Sequence, residues 1–131
     1  MPGRAAALLV GDSVVEWSED ARPVRMAAGT VRDEQEQATY VREMLDVHDA
    51  AGVDAAFVYT FSRRDLATTA RHDPERDFDA ASFGVVRVLP PGTVEGPYAE
   101  LGWEPKAAFH VMAEFGGRAR RKKTAGKAAQ V

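Results

Sequence analysis

An α/β fold is predicted for this chain by three observations: one strongly periodic helix, a single-glycine turn, and an apolar run without alternation directly after it. In "RDEQEQATYVREMLDVHDAAG" the residues Gln37, Val41, Met44, Leu45, His48 and Ala51 recur at spacings of three and four and share one face. Asp33 is placed to cap, acids crowd the first turn and Gly52 stops the pattern, which predicts a helix over 33–51. The following "VDAAFVYTF", Val53 to Phe61, is nearly all apolar. That pattern predicts a strand covered on both faces, as in a parallel sheet between helices.

The remaining elements are shorter. "DSVVEW" and "VRMA" flank "SEDARP" and predict a hairpin within an N-terminal segment over 1–32. Residues 63–81 form a long polar loop, which in a domain of this size signals function or disorder. "SFGVVRV", Ser82 to Val88, reads as another short strand. "EPKAAFHVMAEFG" has Pro105 where a helix opens and Gly116 where one stops, so a helix is expected over 104–115. Beyond it, residues 117–131 carry no apolar periodicity and are expected to be a disordered basic tail.

With 131 residues and an apolar fraction of 45%, the chain has the size of one ordinary domain and enough apolar material for a core. It contains no Cys, which excludes disulfides, thiolate nucleophiles and thiolate metal sites. No stretch approaches the length of a membrane span, and the apolar run near the start is too short for a signal-peptide core. A cytoplasmic protein without membrane attachment is the expectation. The net charge of −3 conceals a division. Eleven of the 17 basic residues and all 20 acids lie at or before Glu114, so the body is −9 and the tail +6.

Four phrases in order, "VRDE-Q--Y", "GVD-AFV-TF", "D-D-AS-GVV" and "WEPKAAF", carry a resemblance over residues 11–116. The chain resembles the C-terminal end of a barrel glycoside hydrolase, and more closely a subgroup of bacterial barrel proteins, some labelled abortive infection protein. That resemblance implies a partial TIM-barrel-like fragment: the last helices and strand of a β/α barrel, organised over 33–116. It also implies carbohydrate as the ligand of full-length relatives. The family's acid/base is a Glu usually preceded by Asn, and this sequence has no Asn. The "T-E-F-G" nucleophile phrase is missing as well, and the first ten residues read as a replaced start. The resemblance therefore assigns no catalytic residue.

Candidate site residues follow from the residues themselves and from the place that a barrel would give them. Glu16 is the one carboxylate flanked by apolar residues at a strand end. Burial beside Trp17 would raise its pKa and suit it to acid catalysis, although a surface position in the hairpin is the favoured account. Hydrolysis of a glycoside needs a second carboxylate, and none is paired with it. Tyr59, Thr60 and Phe61 would end the barrel strand, where an aromatic stacks on a sugar, with Arg63 placed for an anionic group. Trp17 joins this candidate binding set. Asp73, Glu75, Asp77 and Asp79 alternate as hard oxygen ligands for a cation would, yet without the glycine and terminal Glu of a calcium loop. No cofactor is implied.

Three functions fit these features. The first is a glycosidase-like segment without catalysis of its own. The second is a small interaction protein that closes an exposed strand by forming a homodimer. The third is a nucleic-acid-associated protein acting through its basic tail, which the lack of aromatics in the tail and the acidic body disfavour.

Overall fold

A computed structural model of the chain describes residues 14–129. The stretch read as a replaced start lies outside the described residues, as do positions 130–131. The hairpin expected near the N-terminus is present. Strand β1 (Val15–Trp17) pairs antiparallel with β2 (Pro23–Met26), Val15 opposite Met26 and Glu16 opposite Arg25, with a register irregularity before Trp17. Helix α1 covers Glu34–Ala50, and the Asp33 side chain accepts from the Glu36 amide at 2.9 Å. Gln37, Ala38, Val41 and Leu45 form its buried stripe. Gly52 takes a left-handed conformation after the last turn, which only glycine adopts freely.

Strand β3 (Val86–Val88) lies inside the predicted segment, but it pairs antiparallel with β4 (Trp103–Pro105). Pro105 thus closes a strand, and α2 begins two residues later, covering Ala107–Ala129. The Ala107 amide donates to Glu34 Oε1, Arg118 pairs with Asp46 and Lys122 with Asp49. Later positions on one helix therefore meet later positions on the other, so α1 and α2 run in the same direction. The polar loop over 63–81 is ordered into three single-turn 3₁₀ segments, Arg64–Leu66, Pro74–Arg76 and Phe78–Ala81.

Two apolar clusters result. The larger joins Ala38, Val41 and Leu45 of α1 to Val85, Val86, Trp103, Ala108 and Val111. The smaller joins the hairpin residues Val15 and Met26 to Leu66, Phe78, Ala80 and Ala81.

The barrel-fragment reading does not hold. Among the described residues the sheets are two antiparallel pairs, with no parallel pairing. Residues 53–61 form no strand, the chain bends at Asp54, Tyr59 and Phe61, and most of these residues are exposed. The reason is the lack of neighbours: an apolar strand needs partners on both edges and cover on both faces, and here α1 and α2 pack on each other instead of on two sides of a sheet. Only the far end of the segment is tied in, where the Val85 amide lies within hydrogen-bond distance of the Thr60 and Phe61 carbonyls, at 3.1 and 3.0 Å. Gly84 allows this approach, since a Cβ there would stand 3.2 Å from Ser62 Cα.

The expected disordered tail is likewise corrected, because α2 runs on through Ala129. Ala, Lys and Arg are strong helix formers, and the helix is already nucleated by its packed first half. Removing the α1 cap by Asp33→Ala is expected to cost about 1 kcal/mol. Trp103→Ala, in the middle of the larger cluster, is expected to cost about 3–5 kcal/mol. Urea denaturation followed by circular dichroism measures both, and equal costs would contradict this packing.

Candidate functional site

The charged residues of the 63–81 loop do not project as a ring of ligands. Asp73 caps the turn that follows it, accepting from the Glu75 amide at 3.0 Å, and pairs with Arg76 at 2.6 Å. Glu75 is exposed. Asp77 and Asp79 turn inward, because Phe78 between them and the alanines after them are drawn into the smaller cluster and the 3₁₀ turn carries both carboxyls with it. Among the described residues no group of three or more acidic or histidine side chains is arranged to hold a metal ion.

Arg32 meets them, as the single residue between the β-bridge residue Val31 and the α1 cap Asp33. Its Nε donates to Asp77 Oδ2 at 2.7 Å and its Nη2 to Asp77 Oδ1 at 3.0 Å, a two-pronged pairing that a guanidinium makes and an ammonium does not. Nη2 also donates to Asp79 Oδ2 at 2.7 Å, and Nη1 to Glu34 Oε2 at 2.9 Å. Lys106, delivered by the link between β4 and α2, places Nζ 2.8 Å from Asp79 Oδ2. Thr68 Oγ1 donates to Asp77 Oδ1 at 2.6 Å, and Arg87 of β3 stands 3.3 Å from the same oxygen. Three cations and three carboxylates thus balance. Asp79 is 0% exposed and Lys106 2%, a depth at which charge persists only when paired.

Burial pushes the Asp79 carboxyl up, while Lys106 and Arg32 pull it back toward ionisation. Burial likewise lowers the Lys106 ammonium, against the attraction of Asp79. At Asp77 burial is outweighed: Arg32, Thr68 and Arg87 hold it below the usual carboxylate range. Burial also opposes the charge on Arg32, yet its carboxylates raise its pKa further.

A cleft of about 330 Å³ opens beside this network, lined by Met26, Val31, Arg32, Arg71, His72 and Asp77 among others. Its arginines are already engaged, Arg71 by Glu104 and by the Thr93 carbonyl at 2.6 Å. No nucleophile stands against a base there. Lys106 has the environment of an activated amine, but it faces a cavity of only about 10 Å³, too small for an organic substrate.

The other candidates do not meet in one place. Glu16 lies on the outer side of the hairpin, paired with Arg25 across the strands. Trp17 sits exposed on the same hairpin. Phe61 packs edge-on against Trp103 with ring centres 5.3 Å apart, and Arg63 pairs with Asp65. Thr60 is half-buried. Tyr59 alone of the set lines a groove, one of about 280 Å³ shared with Tyr40, Met44, His48, Phe57 and Val58.

That groove holds the exposed surface that the sequence reading passed over. Phe57 is 95% exposed and Tyr59 79%, while Val58 between them turns toward the larger cluster. Among the described residues no hydrogen bond joins the backbone of residues 54–59. Tyr40, Met44 and Val47 on the neighbouring face of α1 are also exposed. The signal was present as an apolar run too long for its surroundings. Arg32, Gln37, Thr68, Arg87 and Lys106 were missed as a cluster because their partners are distant in sequence.

No protein-family model and no curated protein matches the chain. No helix among the described residues is long and apolar enough to cross a membrane.

Asp79→Ala leaves the buried Lys106 without its ion-pair partner, Arg32 keeping Asp77 and Glu34, and is expected to destabilise by about 3–5 kcal/mol, measured by urea denaturation at neutral pH. A separate prediction concerns acid. The folded pKa of Asp77 lies below its unfolded value, so its contribution is complete above about pH 3.9 and is lost as pH falls through the folded value. Asp65 beside Arg63 and Asp73 beside Arg76 have the same sign. Asp79 has the opposite one. Asp77→Asn should therefore flatten the fall in stability below about pH 3.9 without abolishing it. A slope unchanged from the parent would show that Asp77 is not held as described.

Proposed function

We propose that this chain is a small interaction protein, without catalysis of its own, that joins a second copy of itself through residues 53–61. The observation that carries the reading is the stretch over 54–59, which has no backbone hydrogen bonds among the described residues and leaves Phe57 and Tyr59 exposed. An open row of amides and carbonyls beside apolar side chains is a template for another strand.

A second copy fits it by size and by charge. In a two-fold antiparallel pairing centred on Phe57, Ala55 stands opposite Tyr59 and Ala56 opposite Val58, so Tyr59 and Val58 each face an alanine while Phe57 meets Phe57 across the axis. The segment carries exposed Asp54 near its start. Antiparallel pairing sets Asp54 against the neutral Thr60, whereas parallel pairing in register would set Asp54 against Asp54. The groove beside Tyr40 and Met44 then receives the partner's aromatic residues. The basic residues of α2 fit a nucleic-acid role less well, because Arg118 and Lys122 already pair with the acids of α1.

Sedimentation equilibrium across the micromolar range tests the reading. The chain should associate to dimers, and Phe57→Asp should be monomeric with an unchanged melting temperature, since so exposed a residue contributes within about 0.5 kcal/mol to the monomer. A parent chain that stays monomeric throughout would overturn it. Activated aryl glycosides should not be turned over above a buffer blank. Steady hydrolysis lost in Glu16→Gln would overturn the non-catalytic part.

A further inference from the structure

The buried network has two oxygens that its own side chains leave over. Asp79 Oδ2 receives both Arg32 and Lys106, whereas Asp79 Oδ1, fully buried, has no hydrogen-bond partner. Gln37, 4% exposed, donates from Nε2 to the Gly84 carbonyl at 3.1 Å. That bond fixes which end of the amide is which, and it leaves Gln37 Oε1 buried without a partner as well. Both residues line the same cavity of about 10 Å³, together with Arg32, Glu34 and Lys106.

We propose that this cavity is a built site for one internal water molecule, which donates one proton to Asp79 Oδ1 and the other to Gln37 Oε1. Two unpartnered acceptors on residues that line one cavity call for an occupant with two donors, and the volume suits a single water. A carboxylate oxygen and an amide oxygen would also suit a small cation. The heads of Arg32 and Lys106 line the same cavity, however, and their charge disfavours one. Water, unlike a cation, also has lone pairs for the spare protons of Lys106 Nζ. The water links α1 through Gln37, the Phe78–Ala81 turn through Asp79, and the entrance of α2 through Lys106. The site is independent of the pairing surface at residues 53–61.

A high-resolution crystal structure together with water-to-protein nuclear Overhauser measurements on the labelled chain tests this. The expected result is one solvent peak about 2.8 Å from both oxygens. It should be accompanied by cross-peaks from a long-lived water to the Gln37 side-chain amide protons. In Gln37→Met, which keeps the side-chain volume but removes the acceptor, the solvent peak should be lost. Density for no solvent atom there, or side-chain protons of Lys106 satisfying both oxygens directly, would overturn the site. So would a rubidium anomalous peak in crystals grown with that ion, which would assign the cavity to a monovalent cation. The measurements on the parent chain decide the matter even if Gln37→Met fails to fold.

Discussion

Everything else in this structure hangs on Asp79 being held between Arg32 and Lys106. The smaller cluster, built on the hairpin, and the larger one, built on the two helices, are separate apolar bodies. Arg32 leaves the hairpin side on its way into α1, Asp79 sits in the turn under the smaller cluster, and Lys106 stands at the mouth of α2. One buried carboxylate therefore fixes three chain segments at a point. Such a pairing adds little net stability over an apolar replacement, because desolvation offsets most of the attraction. What it adds is position, since any arrangement that separates the three leaves a charge buried without a partner.

Helix α1 was legible because its period, cap and stop all speak of the same local object: Asp33 caps where the composition placed a cap, and Gln37, Val41 and Leu45 are buried where the spacing put a face. Residues 53–61 were misread for the opposite reason. An apolar run states that burial would be favourable, but it does not name what does the burying, and within this chain little does. The tail was misread because low apolar content argues against independent order and says nothing about a helix already started upstream. Once Ala108 and Val111 are packed, each further Ala, Lys or Arg adds one turn-closing hydrogen bond to an existing helix.

The charged network was invisible for a simpler reason. Arg32 and Asp77 are forty-five residues apart, and no local pattern links them. Asp77 and Asp79 did stand out, as possible oxygen ligands for a cation, and here guanidinium and ammonium groups of the chain itself take up oxygens of both. In retrospect the phrases "VRDE", "D-D-AS" and "WEPKAAF", which carried the resemblance to barrel proteins, meet in this network through Arg32, Asp77, Asp79 and Lys106. Their residues hold the chain together, so they give no support to a carbohydrate site within it.

The same joint bears on the exposed segment. At its start the Val53 amide donates to the His48 carbonyl at the end of α1, and at its end the Thr60 and Phe61 carbonyls take up the amides of Val85 and Val86. One anchor is the end of α1, which Arg32 precedes, and the other is Val85, whose carbonyl accepts from the Lys106 amide. The stretch between them is therefore held at both ends while its middle stays open. A flexible loop would have to be ordered on association, at a cost of about 1–2 kcal/mol per residue, whereas a segment already held at both ends avoids part of that. Preorganisation of this kind is what allows a short strip to bind at all. Burying a phenylalanine contributes about 1.5–3 kcal/mol, and a symmetric pairing buries Phe57 twice.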